Sequence, residues 1–169
     1  MAYPTPRSSG DLLADMLERI TLLERRQGRS GLPAMCRVLG GSNGWSTAQT
    51  AFIWTDVDAI NPADMFDPAT PTRITIPQSG IYQISYNLLS TGVIAANTMV
   101  TKNGAATAEQ GLANAAFGTS GAGTAPAVTG FASLVAGDYL EVKHQSPSTG
   151  SGLWNPAGSS FSARRVGQS

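Results

Sequence analysis

Few side chains in this sequence have the chemistry of a catalyst. The chain contains one histidine, His144, and one cysteine, Cys36. His144 stands in the alternating run Leu140–His144 on the side of the apolar residues, so we expect a hydrogen-bonded core side chain rather than a catalyst or ligand. Cys36 opens an apolar run, and we expect a small buried residue. Because local spacing suggests neither a Cys/His pair nor an acid–base group, the sequence predicts a protein that is not an enzyme.

Four aspartates form the pattern most like a metal site. Their side chains fall within twelve residues, as the oxygen ligands of a calcium loop do: Asp56, Asp58, Asp64 and Asp67. Their expected position in loops favours ordinary solvated carboxylates, and we expect no bound metal. The glycine-rich segment 118–123 lacks the Lys-Ser/Thr pair of a phosphate loop and precedes no helix, so we expect no cofactor.

Two tryptophans are candidates for binding. Trp45 and Trp154 fall in two of the long segments between predicted strands, where an indole ring can stack on a sugar or anchor a protein partner. An equally good interpretation is that each ring caps the top of the core. The sequence leaves both open.

The composition excludes several classes of protein. Eleven Lys and Arg balance eleven Asp and Glu, so the net charge favours neither nucleic acid nor an anionic membrane as a partner. A single cysteine excludes an internal disulfide framework. No apolar run is long enough to insert into a membrane, and the N-terminus lacks the pattern of a signal peptide. We therefore expect a chain made soluble inside a cell.

The chain of 169 residues is predicted to have two main parts joined by a linker. Residues 1–10 contain two prolines and a glycine and are expected to form an extended arm. Residues 11–27 contain neither residue type and have helical apolar spacing. Residues 28–34 form a linker with two glycines and a proline. Residues 35–169 have the short, β-branched and aromatic runs of an all-β domain, which we call the head.

The predicted helix has the pattern of a parallel trimeric coiled coil. Alternating steps of three and four separate its seam residues: Leu13, Met16, Ile20 and Leu23. With Ile20 at position a, Arg19 takes g and Glu24 takes e, and in a parallel assembly these two charges meet on neighbouring chains. The alternative is a helix that folds back onto its own head. We expect the trimer, because so short a helix is marginal alone.

The head is expected to contain about eight strands, the number of a jelly-roll sandwich. They are Cys36–Leu39, Phe52–Val57, Arg73–Ile76, Ile81–Leu88, Thr98–Lys102, Ala127–Val135, Tyr139–His144 and Phe161–Val166. The clearest is Ile81–Leu88, in which apolar and polar residues alternate.

The connections between these strands are unequal. If the strands run alternately up and down, three tight turns fall at the helix end: Pro77–Gly80, Asn103–Gly104 and Gly137–Asp138. The long segments then fall at the far end: Gly40–Thr50, Asn61–Thr72, Thr91–Asn97, Gly118–Pro126 and Ser146–Ser160. A compact base and a loop-rich tip predict a binding surface presented away from the stalk.

The head resembles the globular head of the complement q subunit and its tumour-necrosis-factor-like relatives. The most specific match is the pattern Pro-x-x-Gly-x-Tyr-x-x-x-Tyr, from Pro77 to Tyr86. Further matching segments follow the family's order: Met65–Pro68, Arg73–Pro77, Val100–Gly104, Gly130–Leu134, Gly137–Val142 and Ser160–Ala163. The resemblance implies a ten-stranded jelly roll in a tight homotrimer with all stalks on one side.

The chain lacks the collagen stalk of the animal members, and with its short helix it is similar to variants carried by tailed bacteriophages. That resemblance implies a virion structural protein: a trimeric minor tail, fibre or capsid-decoration protein. Its arm and helix would dock to other virion proteins, and its head would face a host glycan or protein. The alternative is a secreted or cell-surface trimeric ligand of a protein receptor. The sequence identifies neither the ligand nor the docking partner.

Overall fold

The structure is a computed structural model that describes residues 16–19, 33–41, 46–61, 63–90, 95–109, 112–117, 127–146 and 154–168. The chain divides into two compact units, Met1–Leu32 and Pro33–Ser169. In the first unit residues 16–19 are helical, and Met16 is exposed. The remaining seam residues and Glu24 lie outside the described residues, so the coiled coil stays a prediction. No helix in the described ranges is long and apolar enough to cross a membrane.

The second unit is an all-β jelly-roll sandwich, as the sequence predicted. Its described strands are β1 Met35–Leu39, β2 Thr50–Ala51, β3 Asp56–Asn61, β4 Arg73–Thr75, β5 Gly80–Ser90, β6 Ala95–Lys102, β7 Ala113–Phe117, β8 Ala127–Leu134, β9 Tyr139–Gln145 and β10 Trp154–Gly167. A short 3-10 helix, Ala63–Met65, follows β3. The first sheet has the order β3-β1-β10-β5-β8. The second has the order β2-β9-β6-β7, and β4 also pairs with β9.

Strand β5 shows why the sequence forms a sandwich. Its even-numbered residues from Tyr82 to Leu88 are buried, whereas its odd-numbered residues are exposed or partly exposed. One face of the first sheet therefore packs on the second sheet, and the other faces outward. Three aromatic rings pack together in the core between the sheets: Trp54 packs on Phe52 at 4.7 Å and on Phe161 at 5.7 Å between ring centroids.

One predicted strand, Phe52–Val57, is wrong. Strand β2 ends at Ala51 and belongs to the second sheet, whereas β3 begins at Asp56 and belongs to the first. The four residues between them cross the core: the N–H of Phe52 donates to the carbonyl of Val142, and that of Trp54 to the carbonyl of Pro71. Phe52 and Trp54 are therefore apolar because they are buried between the two sheets, and neither residue belongs to a strand of either sheet.

The three tight turns do share one end of the sandwich. We call it the base: it is the end at which β1 begins, and the opposite end is the tip. The N–H of Ala136 donates to the Ser79 hydroxyl at 3.0 Å, and the Asn103 amide donates to the Asp138 carboxylate at 2.7 Å. Arg165, near the end of β10, donates to the carbonyl of Ser79 at 3.1 Å. The predicted grouping of these turns is therefore confirmed.

Other predicted connections need correction. The segment Asn61–Thr72 begins at the base and not at the tip, because Asn61 pairs with Met35. No strand was predicted at the position of β7, which pairs with β6. The turn at Asn103–Gly104 therefore does not join β6 directly to its partner strand, since β7 begins only after Leu112. It also placed Trp154 in a loop, whereas Trp154 is the first residue of β10 and pairs with Ser90. A register shift between Asn155 and Ser160 interrupts the pairing of β10 with β5. The first residues of β10 therefore do not continue the alternation of apolar and polar residues from which strands were predicted.

Candidate interaction surface

His144 lies in the core, as predicted, and is poorly suited to acid–base chemistry. It belongs to β9, where its neighbours across the ladders are Thr50 and Thr98. Its ring is fully buried and meets the Phe52 ring edge-on at 6.3 Å. Burial disfavours the charged imidazolium and lowers the pKa of His144 from 6.5 to about 4. At neutral pH the side chain is therefore an uncharged part of the core.

Cys36 is also a core residue, as predicted. It lies in β1 opposite Ile60 and Ala163 and is 1% exposed. Burial raises the pKa of its thiol to about 12, so the nucleophilic thiolate is scarce at neutral pH.

The four aspartates do not converge. Asp56 and Asp58 lie in strand β3 rather than in a loop, and Asp58 forms an ion pair of 2.9 Å with Arg37. Asp64 lies in the 3-10 helix, and the Asp67 carboxylate accepts a hydrogen bond from the N–H of Ala69. Within the described residues, no group of three or more His, Cys, Asp or Glu side chains is placed to hold a metal ion.

Of the two predicted tip residues, Trp45 and Trp154, only the backbone of Trp154 is described. Trp45 lies outside the described residues, and for Trp154 the structure describes the backbone alone. That backbone pairs with Ser90 at the tip end of β5. Both residues remain binding candidates on sequence grounds.

A surface that the sequence analysis did not identify lies on the outer face of the first sheet. Strands β5 and β8 contain no charged residue, and β8 is an edge strand. Three large apolar side chains at the base of this face are exposed: Phe131 by 62%, Val135 by 63% and Ile81 by 38%. Phe131 stands opposite Gln83 and Ile81 opposite Ser133, so Phe131 and Ile81 are diagonal neighbours. We call Ile81, Phe131 and Val135 the base patch.

Small side chains continue this face toward the tip. The hydroxyls of Ser85 and Ser162 lie 2.8 Å apart across β5 and β10, and Thr129 stands opposite Ser85 on β8. On the far edge of the same sheet, Arg37 and Asp58 form their exposed ion pair. Proteins usually protect edge strands with charge or proline, and the β3 edge has charge while the β8 edge has neither. The uncharged half of the sheet is therefore the half suited to a partner.

Among solved structures, the globular domain of zebrafish complement 1qA protein is similar to this chain. The two share 13% sequence identity with a TM-score of 0.62, and the match covers 81% of this chain and 99% of that domain. The head has the complement-q type of jelly-roll fold. At this identity the likeness establishes the fold alone. No family model matches the chain, and no curated protein matches its sequence.

A signal for the base patch is present in the sequence. In Ala127–Leu134 the inward residues Ala132 and Leu134 are apolar, so Phe131 falls in the outward phase of the strand, where a polar residue is ordinary. The position of Ile81 in β5 is similar. Strand phase alone does not show that β8 is an edge, because strand order depends on pairings between distant segments.

Proposed function

We propose that this protein is a non-enzymatic homotrimer whose heads associate through the outer face of the first sheet. The observation that carries the proposal is the base patch on the uncharged side of the first sheet, formed by β5 and the edge strand β8. An exposed cluster of this kind is stabilised when a partner removes it from water. In a ring of three copies each pairwise contact is heterologous, so the two copies contribute different surfaces to it.

The N-terminal helix supports the same assembly from sequence. The base patch lies at the end of the head where β1 begins, two residues after Pro33. A trimeric coiled coil joined at that end would place three helices beside one another, and each trimer contact would raise the effective concentration of the other. The seam Leu13, Met16, Ile20 and Leu23, with the Arg19–Glu24 pair, would then form the stalk.

The proposed contact is tested with matched charge substitutions on opposite sheets. Phe131→Asp places a carboxylate in the base patch, whereas Asn97→Asp places one at an exposed position of β6 on the second sheet. Light scattering coupled to chromatography is expected to give a trimer mass for the parent and for Asn97→Asp, and a smaller mass at low concentration for Phe131→Asp. A monomeric parent, or a Phe131→Asp protein as trimeric as its control, would contradict the proposal.

We further propose that the trimer is a virion component of a bacteriophage, as a minor tail, fibre or capsid-decoration protein. The resemblance of the sequence to such proteins supports this role, with the arm and helix docked in the particle and the head outward. The test is to purify particles from the producing host and to detect the chain by mass spectrometry and antibody labelling. A chain found only as a free secreted trimer would favour receptor ligation instead.

The proposed binding surface is the tip, where Trp45 and Trp154 are the candidate contacts. Trp45→Ala and Trp154→Ala should reduce adsorption to host cells while the trimer mass and melting temperature stay nearly unchanged. If the two rings are instead lids of the core, the same variants will melt at lower temperature and adsorb normally. Measuring adsorption and melting on each protein separates the two outcomes.

A further inference from the structure

The turn Asn103–Gly104 combines a reactive sequence with an unusual restraint. Asn103 has φ of 53° and Gly104 has φ of 74°, so both residues are in the left-handed region of a two-residue turn. The N–H of Ala105 closes this turn on the carbonyl of Lys102 at 3.0 Å. An asparagine followed by glycine is the pair most prone to deamidation, because glycine has no side chain to obstruct attack by its own backbone nitrogen.

Both ends of the Asn103 side-chain amide are bound. Its nitrogen donates to Oδ1 of Asp138 at 2.7 Å, and its oxygen accepts from the N–H of Tyr139 at 2.9 Å. The backbone N–H of Asn103 also donates to the carbonyl of Tyr139 at 2.9 Å. Lys143 holds the two residues that follow Asn103 in place, since its ammonium group donates to the carbonyls of Gly104 and Ala105 at 3.0 Å each.

We propose that Asn103 is a modification site: folding protects it from deamidation, and deamidation in an unfolded chain destabilises the base after the chain refolds. In the reaction the backbone nitrogen of Gly104 loses its proton and bonds to Cγ of Asn103. The bond from Cγ to Nδ2 breaks, and the released NH2 group gains one proton and leaves as ammonia. Water then opens the cyclic imide to aspartate or isoaspartate. The net change is amide plus water to carboxylic acid plus ammonia.

The folded turn opposes the first step. Ring closure requires Cγ to turn toward the nitrogen of Gly104, and this movement breaks the hydrogen bonds to both Asp138 and Tyr139. Since two hydrogen bonds to one side chain must be lost, the native protein should deamidate at Asn103 roughly tenfold more slowly than the denatured chain, or slower still.

In the same geometry the product destabilises the native base. An aspartate at 103 places a carboxylate oxygen where the amide nitrogen now donates to Asp138. Although partial burial raises the pKa of Asp138, hydrogen bonds from the N–H of Val135 and from Asn103, with the charge of Lys102, lower it overall. Asp138 is therefore ionised at neutral pH, and two like charges would share one hydrogen-bond distance. Isoaspartate also lengthens the backbone and disrupts the pairing with Tyr139.

The protection is measured by peptide mapping with mass spectrometry. Native and denatured protein are incubated in one mildly alkaline buffer, and the acid form at Asn103 is followed with time. The chain contains a second pair, Asn43–Gly44, whose conversion in the denatured sample confirms that the conditions permit the reaction. Rapid conversion at Asn103 in denaturant and slow conversion in the native protein are expected. Equal rates in the two samples would overturn the proposal.

The consequence is measured with defined variants. Asn103→Asp should lower the melting temperature by roughly 5 °C, whereas the control Asn97→Asp makes the same chemical change at an exposed position of β6 and should not. Asp138→Asn supplies an amide that can donate to an aspartate at 103, so Asn103→Asp should cost less in that background. A harmless Asn103→Asp, or an undiminished loss in the Asp138→Asn background, would refute the charge-conflict step. If the variants fail to fold, the two deamidation rates of the parent still decide the protection.

Discussion

The hydroxyl groups of Tyr86 and Thr98 lie 2.9 Å apart inside the core and join the two sheets of the sandwich. Tyr86 belongs to β5 of the first sheet and Thr98 to β6 of the second. Both side chains are buried, and burial raises the pKa of Tyr86 although the hydrogen bond to Thr98 opposes it. A hydrogen bond between the sheets favours one alignment of them, because only in that alignment do both hydroxyls meet.

Removing this contact should cost a small, measurable amount of stability. Tyr86→Phe keeps the ring and deletes the hydroxyl, and we expect the free energy of unfolding to fall by about 1 kcal/mol. Tyr82→Phe is the matched control, since its hydroxyl donates to the carbonyl of Gln78 at the base and joins no sheets. In a double-mutant cycle with Thr98→Val, Tyr86→Phe should show coupling and Tyr82→Phe should not. Urea denaturation of the six proteins, namely the parent, three single variants and two double variants, tests this. Additive losses at 86 and 98 would contradict it.

The buried His144 should make the head less stable in acid. The pKa of His144 is lowered to about 4 in the folded state, against 6.5 for an exposed imidazole. As the pH falls from 6.5 to about 4, the unfolded chain binds a proton that the folded chain does not, so stability is lost across this window. The loss from this group is about 3 kcal/mol, at about 1.4 kcal/mol per pH unit.

The variant His144→Gln isolates that contribution. It fills a similar volume and does not titrate, so its stability should fall less than that of the parent between these two pH values. The carboxylates titrate alike in both proteins and cancel in the difference. Denaturant melts at each pH give the two curves, and parallel curves would show that burial of His144 does not govern the acid response.

Strand β5 was predictable because apolar, buried residues alternate with polar residues along it. The segment 52–55 was not, since Phe52 and Trp54 alternate as in a strand although their N–H groups bond to Val142 and Pro71, far away in the sequence. Strand β7, Ala113–Phe117, has no alternating apolar pattern, and it exists because β6 offers its edge. Long-range pairing therefore overrides the local signal in both places.

The base patch likewise depends on one local feature of the sequence and on one long-range pairing. The outward phase of Phe131 follows from the inward phase of Ala132 and Leu134, which the sequence contains. That β8 ends the first sheet follows from its pairing with β5 alone, a contact between residues forty or more positions apart in the sequence. An exposed aromatic ring becomes a docking candidate only when both facts are joined. The sequence supplies one and the topology the other.

Two glycines with similar backbone angles should respond differently to alanine. Gly41 has φ of 106° and Gly137 has φ of 92°, and alanine is strained at both. A methyl group at 137 meets nothing within 4 Å, whereas one at 41 collides with the carbonyl oxygen of Ile53 and lies 2.6 Å from the Phe52 ring. Gly137→Ala should therefore cost about 1–2 kcal/mol, the strain alone.

Gly41→Ala should cost clearly more than Gly137→Ala, because the segment 52–55 that crosses between the sheets must also move. Urea denaturation of the two variants beside the parent measures both losses. The segment offers its own check: Ile53→Ala truncates an exposed side chain without touching the carbonyl that Gly41 approaches, and it should have little effect. Equal losses at the two glycines would mean that the close approach at Gly41 does not constrain the crossing.

The last prediction separates the stalk from the head. In the predicted heptad Ile20 takes position a and Leu22 takes position c, so Ile20→Asp buries three carboxylates at the coiled-coil axis whereas Leu22→Asp places them outward. Buried like charges lose hydration and repel one another, and we expect Ile20→Asp to abolish the helical part of the circular dichroism spectrum at low concentration. Leu22→Asp, which also exchanges a large apolar residue for aspartate, should keep it.

The two compact units divide at Leu32, so the β signal of the head should survive in both variants. If the base patch also holds the heads together, Ile20→Asp will remain trimeric by light scattering at high concentration, and only its combination with Phe131→Asp will be monomeric. A head that unfolds with Ile20→Asp would show that the helix and the head are one folding unit.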